Sequence, residues 1–437
     1  MRLLHVAVFS LLSLAFLTAQ APKIKYEQFK LENGLTVLLH QDNSTPIIAT
    51  SLTYHVGSKN EHPERTGFAH FFEHLMFEGT KHIERGQFFK LVQNAGGELN
   101  ASTSFDQTNY YLLLPSNQLE LALWLESERM LHPVIDSIGI ETQRGVIKEE
   151  KKQRIDNQPY GSLLEKLFSN AYKVHPYRWT PIGSAQYIDM ATYQEFIDFH
   201  KMFYTPENAV LAIVGDININ DAKKLVNTYF NEIPKGTQAI VRPTEVEPKQ
   251  TAEIRDTVYD NVQLPLIAQG YKIPAMGTND YYAISMLSKL FAEGQSSRLY
   301  KSLVDEKKVS VFTGAFSFQL ESPGLFIIYA VANASAEPKL IEDAITEQIF
   351  EVQKNLISEE EFQKLRNQME TEFIQTRSSN LSIAQNLSQY YTFFGDASLI
   401  NTELEKYMKV TREDIQRVAK LYFNPENRTV LTYLPKQ

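Results

Sequence analysis

The sequence predicts an α+β fold made of two duplicated domains, each a mixed, mostly antiparallel sheet with helices packed on one face. Three observations carry this. Length comes first: 437 residues exceed one ordinary core and fit two domains of roughly 200 residues each. Internal repetition is second. "FYTPENAVLAIVGD" from Phe203 and "YFNPENRTVLTYLP" from Tyr422 each follow an amphipathic helix, turn at Pro-Glu-Asn and enter an apolar strand, about 219 residues apart. Third, hairpin-like strands are grouped with long helical patterns rather than alternating with them, and no Gly-rich turn follows the first strand, which excludes a Rossmann arrangement.

In chain order, the opening "MRLLHVAVFSLLSLAFLTAQAP" joins Arg2 to an apolar run and then the small residues Ala19 and Ala21. That is the pattern of a secretory signal over residues 1–21, too short for a membrane span. An exported protein, periplasmic or secreted and of bacterial origin, is expected. Its total lack of Cys leaves core burial to stabilise it. The first domain, 22–232, opens with strand patterns "LTVLLHQ" and "PIIATSLTYHVG", then the apolar helix "FAHFFEHLMFEGT". Strands "NASTS" and "TNYYLLL" and the helix "SNQLELALWLESERMLH" follow. Residues 233–250, rich in Pro, Thr and alternating charge, read as a linker. The second domain, 251–437, repeats the opening with "LPLIAQGYKIPA" and "AISMLSKLFAEGQ". A net charge of −9 without a basic patch excludes nonspecific nucleic-acid binding, and no later run is long enough to span a membrane.

The helix after Gly67 contains a contradiction. It is apolar nearly all round and should be buried, yet His70, Glu73 and His74 share one face with Phe77, while Phe71, Phe72, Leu75 and Met76 are core. Buried imidazoles and a carboxylate need partners. Two His at i and i+4 reach one tetrahedral ion, and Zn²⁺, one per chain, is the natural candidate, with a third ligand from elsewhere. In the second half the matching positions are Ser285, Ser288 and Lys289, so that half is expected to hold no metal.

His70-Phe71-Phe72-Glu73-His74 is the inverted zinc motif H-x-x-E-H, and the chain resembles the pitrilysin/insulinase family of metallopeptidases in its short two-domain type. "QRGVIKEE" (Gln143 to Glu150) looks like the family's ligand helix. By that resemblance Glu150, 76 positions after His74, is the third ligand, with Glu149 as the adjacent alternative. A second acid of several relatives is replaced by Gln143. Gly96, Gly97, Asn100, Ala101, Thr103, Asp106, Thr108 and Tyr110 resemble the family's strand segment, which implies substrate contacts at Asn100, Ala101 and Thr103. His175 reads as a packed or capping residue.

The resemblance implies a zinc-dependent endopeptidase for flexible or unfolded peptides, with Glu73 as general base on a zinc-bound water and peptide added as a strand beside Gly97 to Ser104. It also implies a dimer, homodimeric or heterodimeric with a homologous subunit lacking the motif. The stretch Val309 to Val331 has no Arg, where relatives or their partners place an Arg and a Tyr. The rival readings are a noncatalytic scaffold or partner subunit and a structural zinc site.

Overall fold

The computed structural model describes residues 23–334 and 336–436, so the signal segment expected over 1–21 lies outside them. The first sheet contains β1 (Glu27–Lys30), β2 (Thr36–Gln41), β3 (Ile47–Tyr54), β4 (Glu98–Thr103), β5 (Thr108–Pro115) and β6 (Ala209–Gly215), in the order β1-β2-β6-β3-β5-β4. The second contains β7 (Ile254–Asp260), β8 (Leu266–Ile273), β9 (Ser310–Phe318), β10 (Gly324–Ala332) and β11 (Arg428–Pro435), in the order β7-β11-β8-β10-β9. With β1 set aside the two sheets correspond strand for strand. Each has one parallel pair, β2 with β6 and β7 with β11, and is otherwise antiparallel.

The repeated Pro-Glu-Asn explains why β6 and β11 occupy matching interior places. Each turn is a short 3₁₀ segment after a helix, and its Asn ties the turn back to that helix's end: Asn208 Nδ2 donates to Phe203 O and Asn427 Nδ2 to Tyr422 O, both at 2.7 Å. The strand that leaves is then aimed into the sheet. All seven residues of β6 are buried, as expected of a strand covered on both faces.

One face of each sheet is covered by helices of its own half. The opposite face is covered by a helix from the other half. Leu163–Ala171 lays Leu167, Phe168 and Ala171 on the second sheet, against Leu266, Ala268, Leu325 and Leu431. Reciprocally, Asn380–Phe394 lays Ile383, Ala384 and Leu387 on Leu38, Ala49, Val210 and Val214 of the first sheet. The exchange is reinforced by charge. Lys59 Nζ, almost fully buried, lies 2.8 Å from Asp106 Oδ1 and also bonds Glu321 of the second half, whose amide donates to Asp106 Oδ2 at 3.0 Å.

Between Phe230 and Ile254 no helix or strand forms. The segment is nonetheless held. Arg242 Nη2 donates to Asn208 Oδ1 at 2.6 Å, and the Glu247 carboxylate accepts the amides of Lys173, Val174 and His175. His175 caps the short turn that follows it, its Nδ1 accepting from Tyr177 N at 3.2 Å. Among the described residues, no helix is long and apolar enough to cross a membrane.

Candidate active site

The motif helix spans Phe68–Leu75 and is buried on almost every side, as its composition requires. Phe68 stacks on Phe196 with ring centroids 4.6 Å apart, and Phe72 stacks on Phe199 at 5.7 Å. Its N-terminus is fixed by a residue that periodicity does not reveal. Buried Glu61 accepts the amides of Gly67 and Ala69, each at 2.9 Å, satisfying donors that a helix start leaves free. Gly67 is left-handed (φ 102°), and a Cβ at Gly183 would fall 2.3 Å from its amide nitrogen. The helix start is therefore set by contacts that tolerate no added side chain.

Phe71, Phe72, Leu75 and Met76 are core. His70, Glu73 and His74 turn the other way, towards the helix Ser137–Lys151. From that helix Glu150 Oε2 comes within 3.2 Å of His74 Nε2 and 3.6 Å of His70 Nε2. Donor atoms bonded at about 2.0–2.1 Å to a tetrahedral zinc lie about 3.3 Å apart, so the three atoms fit such an ion. Two further features suit it. Burial, and then the neighbouring His74 and Arg154, push the His70 imidazolium pKa down to about 3, keeping the ring in its neutral, ligating form. Buried Glu150 Oε2 makes no hydrogen bond, while Oε1 accepts from Arg154 at 2.8 Å, which turns Oε2 inward. Arg154 carries no signal in the sequence beyond its i+4 spacing from Glu150. The adjacent Glu149 is exposed and bonds Gln153 at 2.9 Å, away from the imidazoles.

Glu73 does not belong to this donor trio. Its Oε2 accepts from Thr103 Oγ1 at 2.6 Å, which leaves Oε1 without that partner. Burial lifts its carboxyl above the ordinary range; the Thr103 bond and His74 oppose the rise, and Glu150 adds to it. Thr103 ends β4, and β4 is the edge strand of its sheet. Of the three residues expected to contact substrate, Thr103 thus has its hydroxyl occupied by Glu73. Asn100 lies on the same strand and lines a pocket of about 430 Å³ with Glu73, His74, Phe77, Phe89 and Gln143. Ala101 packs against the core. Gln143 stays off the donor trio and bonds Glu78.

The second half presents the matching geometry with different chemistry. Ser285, Ser288 and Lys289 lie on the helix Asn279–Ala292, and Lys289 Nζ pairs with Glu372 at 2.8 Å and Glu293 at 2.7 Å. Ser285 Oγ, at the position matching His70, accepts from Gln319 at 2.7 Å, just past β9.

A duplicated α+β chain that gathers H-x-x-E-H and a distant glutamate beside a sheet edge has the scaffold of an inverzincin-type peptidase. Residues 36–182 match the family described as insulinase (peptidase family M16), and residues 191–369 match the peptidase M16 inactive domain. The chain belongs to the M16 peptidase family. It is 33% identical over 438 residues to the zinc protease PqqE of Helicobacter pylori, covering 99% of this chain and 98% of that one. A crystal structure of a protease from Helicobacter pylori superposes with a TM-score of 0.90 at 32% identity, covering 94% of this chain and all of that one. The periplasmic protease PqqL of Escherichia coli shares the fold (TM-score 0.77, 19% identity), with 95% of this chain matching 48% of that longer one.

Proposed function

We propose that this chain is an exported zinc endopeptidase that cleaves flexible or unfolded peptides, with His70, His74 and Glu150 holding the metal and Glu73 as the general base. The observation that carries the reading is the convergence of these four side chains beside edge strand β4. The group of possible ligands numbers three among the described residues, which leaves a coordination position open. An open position is what a catalytic site requires, because the attacking water must reach the ion.

When bound, the zinc supplies Lewis acidity that polarises the scissile carbonyl and makes water acidic near neutral pH. The chain's own residues do the rest. An extended peptide pairs with the outer edge of β4, so main-chain hydrogen bonds place it with little reading of sequence. Asn100 and Ala101 lie along that edge. Glu73 takes the proton of the attacking water on Oε1 and passes it to the departing amine, while Thr103 holds Oε2 still.

Folded proteins offer few free strand edges, so they are spared. The chain acts as one half of a dimer closing around the peptide. The E. coli relative that this chain matches over about half its length supports a doubled assembly, and that relative's periplasmic description supports export. The missing Arg between Val309 and Val331 favours a homologous partner subunit over a second copy. The test is Glu73→Gln. Zinc content should stay at the wild-type level while turnover of an unstructured peptide falls by about 10²-fold or more. Wild-type turnover in that variant would end the reading.

A further inference from the structure

A second cluster of metal-capable side chains lies apart from this site. His82, Glu128 and His132 bring one ligand atom each to within 4.8 Å of the others. Two of them come from the end of the helix Leu119–Leu131: Glu128 in its last turn and His132 just past it, whose amide donates to Glu128 O at 2.9 Å. His82 arrives from the loop that follows the motif helix. A bridge between Thr80 and Pro133, with Lys81 N donating to His132 O at 3.0 Å, locks that loop to the helix end.

The geometry resembles that of the first donor trio closely. The His82 and His132 rings cross at 85° with centroids 5.2 Å apart; the His70 and His74 rings cross at 84° with centroids 4.9 Å apart. Glu128 Oε1 lies 2.9 Å from His82 Nδ1, near the edge of a tetrahedral coordination shell. Its other oxygen accepts from Thr80 Oγ1 at 2.7 Å, orienting the carboxylate as Arg154 orients Glu150. Glu128 is buried, His132 is partly buried and His82 is half-exposed, so the cluster opens to solvent on the histidine side. A loop anchored only by a His82–Glu128 hydrogen bond would explain two residues. It gives no reason for the His132 ring to close the third corner.

We propose that His82, Glu128 and His132 form a second binding site for a divalent transition ion of the zinc class, three protein donors with solvent completing the shell. The ion would clamp the loop between the motif helix and the helix Leu119–Leu131. The same loop carries Glu78, Arg85 and Gly86, which line the pocket beside Glu73. Occupancy of the outer site therefore steadies one wall of the substrate pocket.

Metal counting on the full chain tests this. Wild type, His70→Ala/His74→Ala and His82→Ala/His132→Ala are stripped with chelator, reloaded with Zn²⁺ and analysed by elemental mass spectrometry, with calorimetric titration for affinity. Circular dichroism checks folding, and the single His82→Ala change, at a half-exposed loop residue, serves as the mildest variant. The expected result is two zinc ions for wild type and one for each double variant. In the His70→Ala/His74→Ala background, adding His82→Ala should weaken the remaining site by about 100-fold. The proposal is overturned if His70→Ala/His74→Ala takes up no zinc, or if its zinc is indifferent to His82→Ala. If zinc is indifferent to His70→Ala/His74→Ala yet lost with His82→Ala, it is the assignment of the motif ligands that fails.

Discussion

Replacing Thr103 by Val keeps the shape of the side chain and removes only the 2.6 Å hydrogen bond to Glu73. A bond to a charged group contributes about 1.5–3 kcal/mol, and because Glu73 is only partly buried the lower end applies. The bond favours the carboxylate over the acid, so its loss raises the Glu73 pKa further. A base must be unprotonated to act. At about 1.4 kcal/mol per tenfold, the acid limb of kcat/KM should therefore move up by about one pH unit. The zinc would depress the Glu73 pKa in both proteins alike, so the difference survives its presence. The assay is a pH profile of kcat/KM on an unstructured fluorogenic peptide, with zinc content measured on each sample. Thr103→Ser should restore the wild-type profile. An unmoved acid limb in Thr103→Val, with zinc retained, would refute the positioning role.

Glu150→Ala should lose most of its zinc whereas Glu149→Ala keeps it; the reverse result in metal analysis would transfer the ligand role. His200 is held neutral, its pKa pushed down to about 4 by burial and then by Lys201, against an ordinary 6.5. A depressed His pKa means the unfolded chain takes up the proton first, so stability is full above about pH 6.5 and declines towards pH 4. Urea midpoints should show about 2 kcal/mol lost between pH 7 and pH 5 that is absent in His200→Phe, and an equal loss in both would refute this. Lys59→Met leaves Asp106 and Glu321 without their buried cation and should cost about 3–5 kcal/mol in chemical denaturation; a cost under about 1 kcal/mol would show the cluster to be surface-like.

The site was legible where the sequence contradicted itself. Polar residues inside an apolar helix demanded partners, and those are the residues that converge. Glu150 is different: no rule of spacing selects it over Glu149, and the family resemblance alone pointed to it. The Pro-Glu-Asn repeat revealed the duplication because the same Asn-to-helix bond recurs in each half. What could not be read was pairing at long range. Leu163–Ala171 and Asn380–Phe394 are ordinary amphipathic helices, and nothing in their periodicity says that each covers the other half's sheet. Lys59, Asp106 and Glu321 look like surface charges until the halves meet. His82 and His132 are separated by two helices and a hairpin in sequence, so their approach depends on the Thr80–Pro133 bridge.

The exchanged helices bear on how the two copies diverged. A half that needs the other's helix to cover its sheet cannot be discarded after duplication, even once it has no chemistry of its own. Its helix Asn279–Ala292 carries Ser285, Ser288 and Lys289 at the positions that match His70, Glu73 and His74. There the positive charge is Lys289, paired with Glu372 and Glu293. An ammonium on a side chain satisfies a nearby carboxylate without a bound ion, but it offers no vacant coordination position and cannot polarise a carbonyl as a Lewis acid does. Lys289 thus balances the charge of these carboxylates without a bound ion. Under this reading the second half supplies the cover for the first sheet, the Glu321 contact to Lys59 and an edge hairpin without Arg, so the chemistry of the chain rests on the first half alone.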